Sequence, residues 1–285
     1  MEIIHDDLKA RIKAENIKMH DRDSRIYDIR HPYMRNKWMQ RMFYEDIDFI
    51  LGKLHEKDTI KVLDCGCGTG NLSLKFLERG CQVTGVDISA KMLGEIAQKA
   101  QSLKKDISLN QSDLETFFAK NTDEKYDVIS FGAVLHHLPD YLNILETGLK
   151  RVTPDGIVYI VGEPASAVGQ DFLTRFVLKI DILFNIAYKI WVMPVQMVSI
   201  LKKIGGRVIP FLTPSRKDYV DENLAEYYAG KGLDENLLQE KLLQNYYKIL
   251  NFKKFPEMGF RLTNSLAKKL QVNTSLKIIA QKQKD

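Results

Sequence analysis

The chain has little cysteine. Cys65, Cys67 and Cys81 are its only thiols, an odd number with a C-x-C rather than a C-x-x-C spacing, which argues against a disulfide framework or a zinc knuckle and for reduced thiols in a cytosolic protein. It also lacks an apolar run long enough to cross a bilayer, which takes about 20 residues. Its most apolar stretch, 166–217, is interrupted by Lys179, Asp181, Lys189 and Pro194, leaving only Ile190 to Leu201 uncharged. The opening MEIIHDDLKARIKAENIK is charged from its second residue and has no apolar segment before a small-residue site, so no secretory signal is expected. Internal repeats and low-complexity tracts are absent. Charge of one sign is scarce too: 42 Lys+Arg against 37 Asp+Glu give +5, too small an excess to mark a nucleic-acid binder.

What is present is ordinary for a globular protein. Hydrophobic residues make up 45% and charged residues 28% of 285 residues, enough for one large domain or a core with an elaboration. Residues 1–54 read as a helical cap, broken near Arg30-His31-Pro32 because the residue before proline avoids the helical region. From 55 to 165, β-rich runs (KVLDCG, CQVTGVD, DISLNQSD, YDVISFG, GIVYIVGE) alternate with helical patterns. That alternation predicts a doubly wound α/β fold with a mostly parallel sheet. Residues 166–233 read as a helical lid insertion, with Leu173, Val177, Ile180, Phe184, Ala187 and Trp191 as an apolar stripe. Residues 234–285 supply a helix capped by Asp234 and two candidate strands, FKKFPEMGFRL and SLKIIAQK, able to finish the sheet as an antiparallel pair.

The chemistry concentrates in Val62-Leu63-Asp64-Cys65-Gly66-Cys67-Gly68-Thr69-Gly70, a strand running into a glycine turn. Glycines let backbone approach a ligand closely and take positive φ. A dinucleotide site wants G-x-G-x-x-G, but Asn71 stands where the third glycine belongs, and Asp64 would repel a phosphate. An ammonium or sulfonium ligand fits this acid better. Asp87, at the end of CQVTGVD, is placed to accept from both hydroxyls of a ribose, with Ile88 against an adenine face, and Asp113 is placed to accept from an adenine amino group.

With VLDCGCGTG, VTGVD, SDLE, YDVISFGAVLHHL and the Pro154-Asp155-Gly156 turn in this order, residues 55–163 resemble the class I S-adenosylmethionine-dependent methyltransferases. The resemblance implies a Rossmann-like, seven-stranded sheet with a C-terminal antiparallel strand, and S-adenosylmethionine as methyl donor. It implies that Gly66, Gly68 and Gly70 pack against the methionine moiety, that Asp64 helps hold its amino group, and that Asp87 takes the ribose. Asp113 with Leu114 would take the adenine, and the backbone of Gly132 and Ala133 the methionine end. Tyr27 resembles a tyrosine that approaches the same end from the N-terminal helices. The segment also resembles the ubiquinone-pathway O-methyltransferases, whose acidic residues are replaced here by Ala133 and His136, so no metal site is expected.

Methyl transfer from a sulfonium is an in-line displacement in which alignment matters more than catalytic side chains. A base is useful when the acceptor carries a proton to lose; His137 is the first candidate and His136 the second. The 166–217 stretch sets eight basic residues (Arg175, Lys179, Lys189, Lys202, Lys203, Arg207, Arg216, Lys217) against Asp171 and Asp181. Its Phe172, Phe176, Phe184, Trp191, Met193 and Met197 are candidates to line an apolar pocket. A cationic, apolar lid suits an amphiphilic or anionic small molecule methylated on oxygen or carbon, and allows peripheral membrane contact. RNA or protein methylation, and a subunit that holds the cofactor without turnover, are the alternatives.

Overall fold

The computed structural model describes residues 6–31, 34, 36–120, 123–166, 172–204, 221–225, 227–228 and 231–284, with side chains of 189–204 and 222–223 left aside. The helices α1 (Asp6–Asp23), α2 (Tyr27–Arg30) and α3 (Lys37–Lys53) precede the sheet. The helical path ends at His31, whose backbone is extended, as the following proline requires.

The core then alternates β1 (Lys61–Cys65), α4 (Ser73–Glu78), β2 (Gln82–Asp87), α5 (Ala90–Ser102), β3 (Ser108–Gln111), α6 (Leu114–Lys120), β4 (Tyr126–Gly132), α7 (Tyr141–Leu149) and β5 (Val152–Pro164). It continues with α8 (Phe172–Ile204), α9 (Glu222–Ala225), α10 (Glu235–Gln244), β6 (Tyr247–Phe255), α11 (Arg261–Lys269) and β7 (Ser275–Lys282). The seven strands order as β3-β2-β1-β4-β5-β7-β6. The pairs among β1 to β5 are parallel, and β7 runs antiparallel to both β5 and β6. This is the expected Rossmann-like sheet.

Successive residues of a strand face opposite sides, so Ile129 and Ile278 join one apolar cluster while Val128 and Ile279 join the other. Helices α6, α7 and α10 cover the first face through Phe117, Ile144, Leu145, Leu238 and Leu242. Helices α3 and α4 cover the second through Met39, Phe43, Ile47, Ile50 and Phe76. The second face also holds an ion pair: Lys277 on β7 contacts Asp46 on α3, both buried, and the Tyr159 hydroxyl on β5 donates to the other Asp46 oxygen at 2.9 Å.

Two expected elements differ. The strand read over FKKFPEMGFRL begins earlier, at Tyr247, and stops at Phe255, since Pro256 has no N–H for the ladder; residues 261–269 form α11 instead. The asparagine and aspartate caps behave as their chemistry dictates: Asn36 accepts from Trp38 N, and Asp234 from Asn236 N and Leu237 N.

The apolar stripe does form a helix, α8, but of its described residues Val177 is buried and Leu173 and Phe184 are exposed. Thr174, Val177 and Asp181 are buried, and Asp181 accepts from Thr263 Oγ1 and from Gly259 N, while Phe172 and Leu183 are 74% and 65% exposed, with Phe176, Ile182 and Ile186 also exposed. The expected stripe residues Leu173 and Phe184 lie outside as well. Asp181 decides the orientation: a buried carboxylate needs donors, and the turn before α11 supplies them. Phe172, Phe176 and Phe184 therefore do not line a pocket with the cofactor loop. Trp191, Met193, Met197 and six of the eight basic residues lie outside the described side chains.

Candidate active site

The strand order reverses between β1 and β4, and beyond the carboxyl ends of such strands an open α/β sheet leaves a crevice. A cavity of about 390 Å³ opens there, within the usual range for a cofactor or small-molecule site. Its wall includes Tyr27, Asp64, Gly66, Gly68, Asp87, Ile88, Asp113, Leu114, Gly132, Ala133 and His137. Thus eleven of the thirteen residues singled out from the sequence meet on one surface.

Local chemistry explains the loop. Gly66 N and Cys67 N both donate to Val86 O, at 2.8 and 3.0 Å, folding the turn over β2. Gly66 has φ +69°, and an added Cβ would stand 2.3 Å from Val134 Cγ2. Gly68 N donates to Asp87 Oδ2 at 2.8 Å, and Ser89 N to Asp87 Oδ1 at 2.9 Å. Each oxygen keeps lone-pair capacity for a further donor. Burial pushes the Asp87 carboxyl up to about 6, against the pull of those two N–H donors.

Two of the expected acids also have partners inside the protein, and two other expected residues lie off the cavity wall. Asp64 is fully buried and already accepts from Ser73 N, Ser73 Oγ and Ser130 Oγ at 3.1, 2.6 and 2.8 Å. It ties the start of α4 to β1 and β4, which fixes the loop while Asp64 stays on the cavity wall. Burial raises its pKa, opposed by the serine hydrogen bonds. Asp113 caps α6 by accepting from Thr116 N at 2.9 Å and pairs with Lys13 Nζ of α1 at 2.6 Å. Gly70 is not on the cavity wall; an added Cβ would meet Ile96 Cγ1 at 2.7 Å, so it permits loop-to-α5 packing. His136 turns away too: its Nδ1 donates to Glu163 Oε2 at 2.8 Å.

His137 stays on the wall. Its Nδ1 is 2.9 Å from Ala225 O; a carbonyl only accepts, so Nδ1 carries the proton and a neutral ring has its lone pair on Nε2. Ala133, just after β4, has φ +52°, a conformation that costs a non-glycine residue about 1 kcal/mol or more. Ala133 N nonetheless donates to Val161 O at 2.9 Å, which holds the turn.

The N-terminal helices close the site. Asp28 accepts from Thr69 Oγ1 and Lys99 Nζ, both at 2.7 Å, and Asp21 accepts from Ser89 Oγ at 2.5 Å. His20 of α1 reaches the wall and meets His137 edge to face at 5.2 Å between ring centroids. The sequence reading missed His20, Asp28, Glu163 and Glu257. Glu163 carried the same strand-end signal as Asp87; the others carry no local signal, because tertiary packing alone brings them here. Among the described residues no group of three or more His, Cys, Asp or Glu is arranged to hold a metal ion.

Comparison with known proteins decides the family. The family model described as a methyltransferase domain matches residues 34–179, just over half of the chain. The chain belongs to this methyltransferase-domain family. It is 34% identical over 116 residues to a ubiquinone biosynthesis O-methyltransferase of Actinobacillus pleuropneumoniae, covering 40% of this chain and 50% of that protein. It is 30% identical over 142 residues to the protein so named in Vibrio vulnificus, covering 50% and 59%. The chain thus spans about half the length of the curated relatives it matches. The fold is shared with the plantazolicin methyltransferase BpumL in complex with SAH, at a TM-score of 0.56 and 14% identity over 98% of this chain and 97% of that one. It is also shared with magnesium protoporphyrin IX methyltransferase (ChlM) from Synechocystis PCC 6803 with bound SAM, at 0.52 and 17% over 99% and 100%.

Proposed function

We propose that this methyltransferase-domain protein transfers a methyl group from S-adenosylmethionine to a small-molecule acceptor. The observation that carries the reading is the convergence of the Gly66–Gly68 turn and Asp87 on one cavity, in a chain of this family. The residues fit the donor: Gly68 has open space where a Cβ would be, and Asp87 has acceptor capacity for a ribose diol. Ile88 and Leu114 supply apolar surface for an adenine, and Tyr27 and Ala133 stand toward the methionine end. The donor, when bound, supplies an electrophilic methyl group on a sulfonium. His137 lines the same cavity with its proton on Nδ1, and its neutral ring assists proton removal from the acceptor.

The acceptor is read as amphiphilic. The outward apolar face of α8, with the exposed Arg175 and Lys179 beside it, supports contact with an anionic membrane surface from the cytoplasmic side. No helix among the described residues is long and apolar enough to cross a membrane.

Calorimetric titration with S-adenosylmethionine and S-adenosylhomocysteine tests the reading; absence of heat for both would remove it. Asp87→Ala should weaken S-adenosylhomocysteine by about 1.5–3 kcal/mol, the range for hydrogen bonds to a charged group. The pH dependence has a defined sign. The folded-state value of about 6 lies above the ordinary 3.8, so ionised Asp87 is disfavoured by the fold and favoured by the ribose hydroxyls. Affinity should be full above about pH 6 and fall below it, by at most about tenfold per unit. Asp87→Asn should lose this slope between pH 7.5 and 5. For the chemical step, His137→Ala should slow release of S-adenosylhomocysteine about a hundredfold once an acceptor is found, with cofactor affinity nearly unchanged. Equal rates would make His137 structural.

A further inference from the structure

The cavity has two ends. Asp87, Ile88 and Asp113 stand at β2 and β3, whereas Gly132, Ala133, Val161 and Gly162 stand at β4 and β5. From β2 to β5 there are three strand spacings, about 14 Å, enough to separate a nucleoside from the atom being methylated. At the β4–β5 end a carboxyl group that no motif announced lines the wall: Glu257, in the turn between β6 and α11.

Its setting is built. Glu257 N donates to Thr274 Oγ1 at 2.8 Å, and Ser275 Oγ at the start of β7 donates to Glu257 Oε2 at 2.6 Å. That oxygen lies 3.9 Å from where a Gly162 Cβ would be, and the same point is 3.5 Å from Ala133 Cβ. Gly162 has φ +73° and leaves this space open. The neighbouring Glu163 has both oxygens engaged: Oε1 by Val134 N and Leu135 N, Oε2 by His136 N and Nδ1. Glu163 does not line the cavity, and Glu257 does.

We infer that Glu257 faces the methyl-transfer position and recognises the acceptor through an O–H or N–H on its nucleophilic atom, which makes the acceptor a hydroxyl or amine compound. The inference rests on the methyltransferase reading above. In the step it serves, the acceptor's oxygen or nitrogen gains the methyl group as its O–H or N–H bond breaks toward the Glu257 carboxylate. The carbon–sulfur electron pair stays on sulfur, so a carboxylate and a sulfonium become a carboxylic acid and a neutral thioether.

The electrostatics agree. Burial raises the Glu257 carboxyl to about 7, opposed by the Ser275 hydroxyl and the His136 ring, with the Glu163 charge adding to the rise. Glu257 is half-buried and lines the cavity. The groups around it are Ser275 and Thr274 from the β7 side, Glu163 from β5 and His136 from the turn after β4; His137, His20 and Tyr27 lie on the same cavity wall. A carboxylate that ionises near pH 7 can hold a donor and accept its proton.

The test needs no acceptor. Sinefungin replaces the sulfonium methyl by an amine at the methyl-transfer position, while S-adenosylhomocysteine has nothing there; both share ribose and adenine. Calorimetry should show the ratio of their dissociation constants shifting against sinefungin by about tenfold in Glu257→Gln, with S-adenosylhomocysteine unchanged. In the unmodified protein the sinefungin advantage should be present above about pH 7 and shrink toward pH 5.5. Asp87 titrates in both complexes, so its contribution cancels in the ratio. An unchanged ratio in a folded Glu257→Gln protein, or a ratio flat from pH 5.5 to 7.5, overturns the inference. Failure of S-adenosylhomocysteine itself to bind overturns the methyltransferase reading instead.

Discussion

Gly66→Ala should abolish measurable S-adenosylhomocysteine binding at concentrations that saturate the unmodified protein, and should lower stability by about 2–5 kcal/mol. Two costs add. The backbone stands at φ +69°, in the left-handed region, and the new Cβ would lie 2.3 Å from Val134 Cγ2 and 2.8 Å from Val134 Cβ. Val134 is β-branched and its N–H is held by Glu163 Oε1 at 2.8 Å, so it cannot retreat cheaply. Relief must come from the glycine turn, which moves Gly68 N off Asp87. Gly68→Ala is the control: φ is +52° but the Cβ meets nothing within 4 Å, so only the conformational cost, about 1 kcal/mol, should appear in urea unfolding. Equal destabilisation by the two substitutions would refute the Val134 contact as the cause.

Asp46→Ala should cost about 3–5 kcal/mol, read from the urea midpoint, because it leaves the buried Lys277 ammonium without its carboxylate. The Tyr159 hydroxyl loses its acceptor at the same time. Asp46 and Lys277 are both buried, on the sheet face whose apolar cluster includes Met39, Phe43, Ile47 and Ile279. The damage comes from an orphaned charge, so removing both charges should recover much of it: Asp46→Leu with Lys277→Met should be within about 1–2 kcal/mol of the unmodified protein. If the double substitution is as poor as Asp46→Ala, packing of α3 on β7 rather than charge is what matters.

Much of the fold was legible because it rests on local patterns. Strands buried on both faces read as continuous apolar runs, as in YDVISFG of β4. Helices announce themselves by period and cap, as with Asp234 before α10. The misread segments show where such patterns fail. Pro256 ended β6 inside a run that looks extended throughout, and α11 followed from residues whose apolar side, Leu266 and Ala267, is defined by packing with Val177, Leu178 and Met258. In α8 the apolar stripe is buried only in part: Val177 packs inward beside Asp181, which is held by Thr263 and Gly259, while Leu173 and Phe184 stay exposed.

The candidate site divides along the same line. The glycine turn and the acid at the end of β2 are contiguous with the strands that present them, so a spacing of a few residues suffices to place Gly66, Gly68 and Asp87 on one crevice, and the order of elements suffices for the sheet. Which partner each acid takes is a three-dimensional matter. Asp64 and Asp113 look like ligand contacts in the chain and both line the cavity, but the fold also gives each a partner inside the protein: serines on α4 and β4 for Asp64, Thr116 and Lys13 for Asp113. Glu257 is 120 residues from His137 along the sequence and meets the same wall only because β7 inserts between β5 and β6. Short-range pattern can record a turn and its strand; long-range packing alone decides which buried carboxylate is satisfied and which faces the cavity.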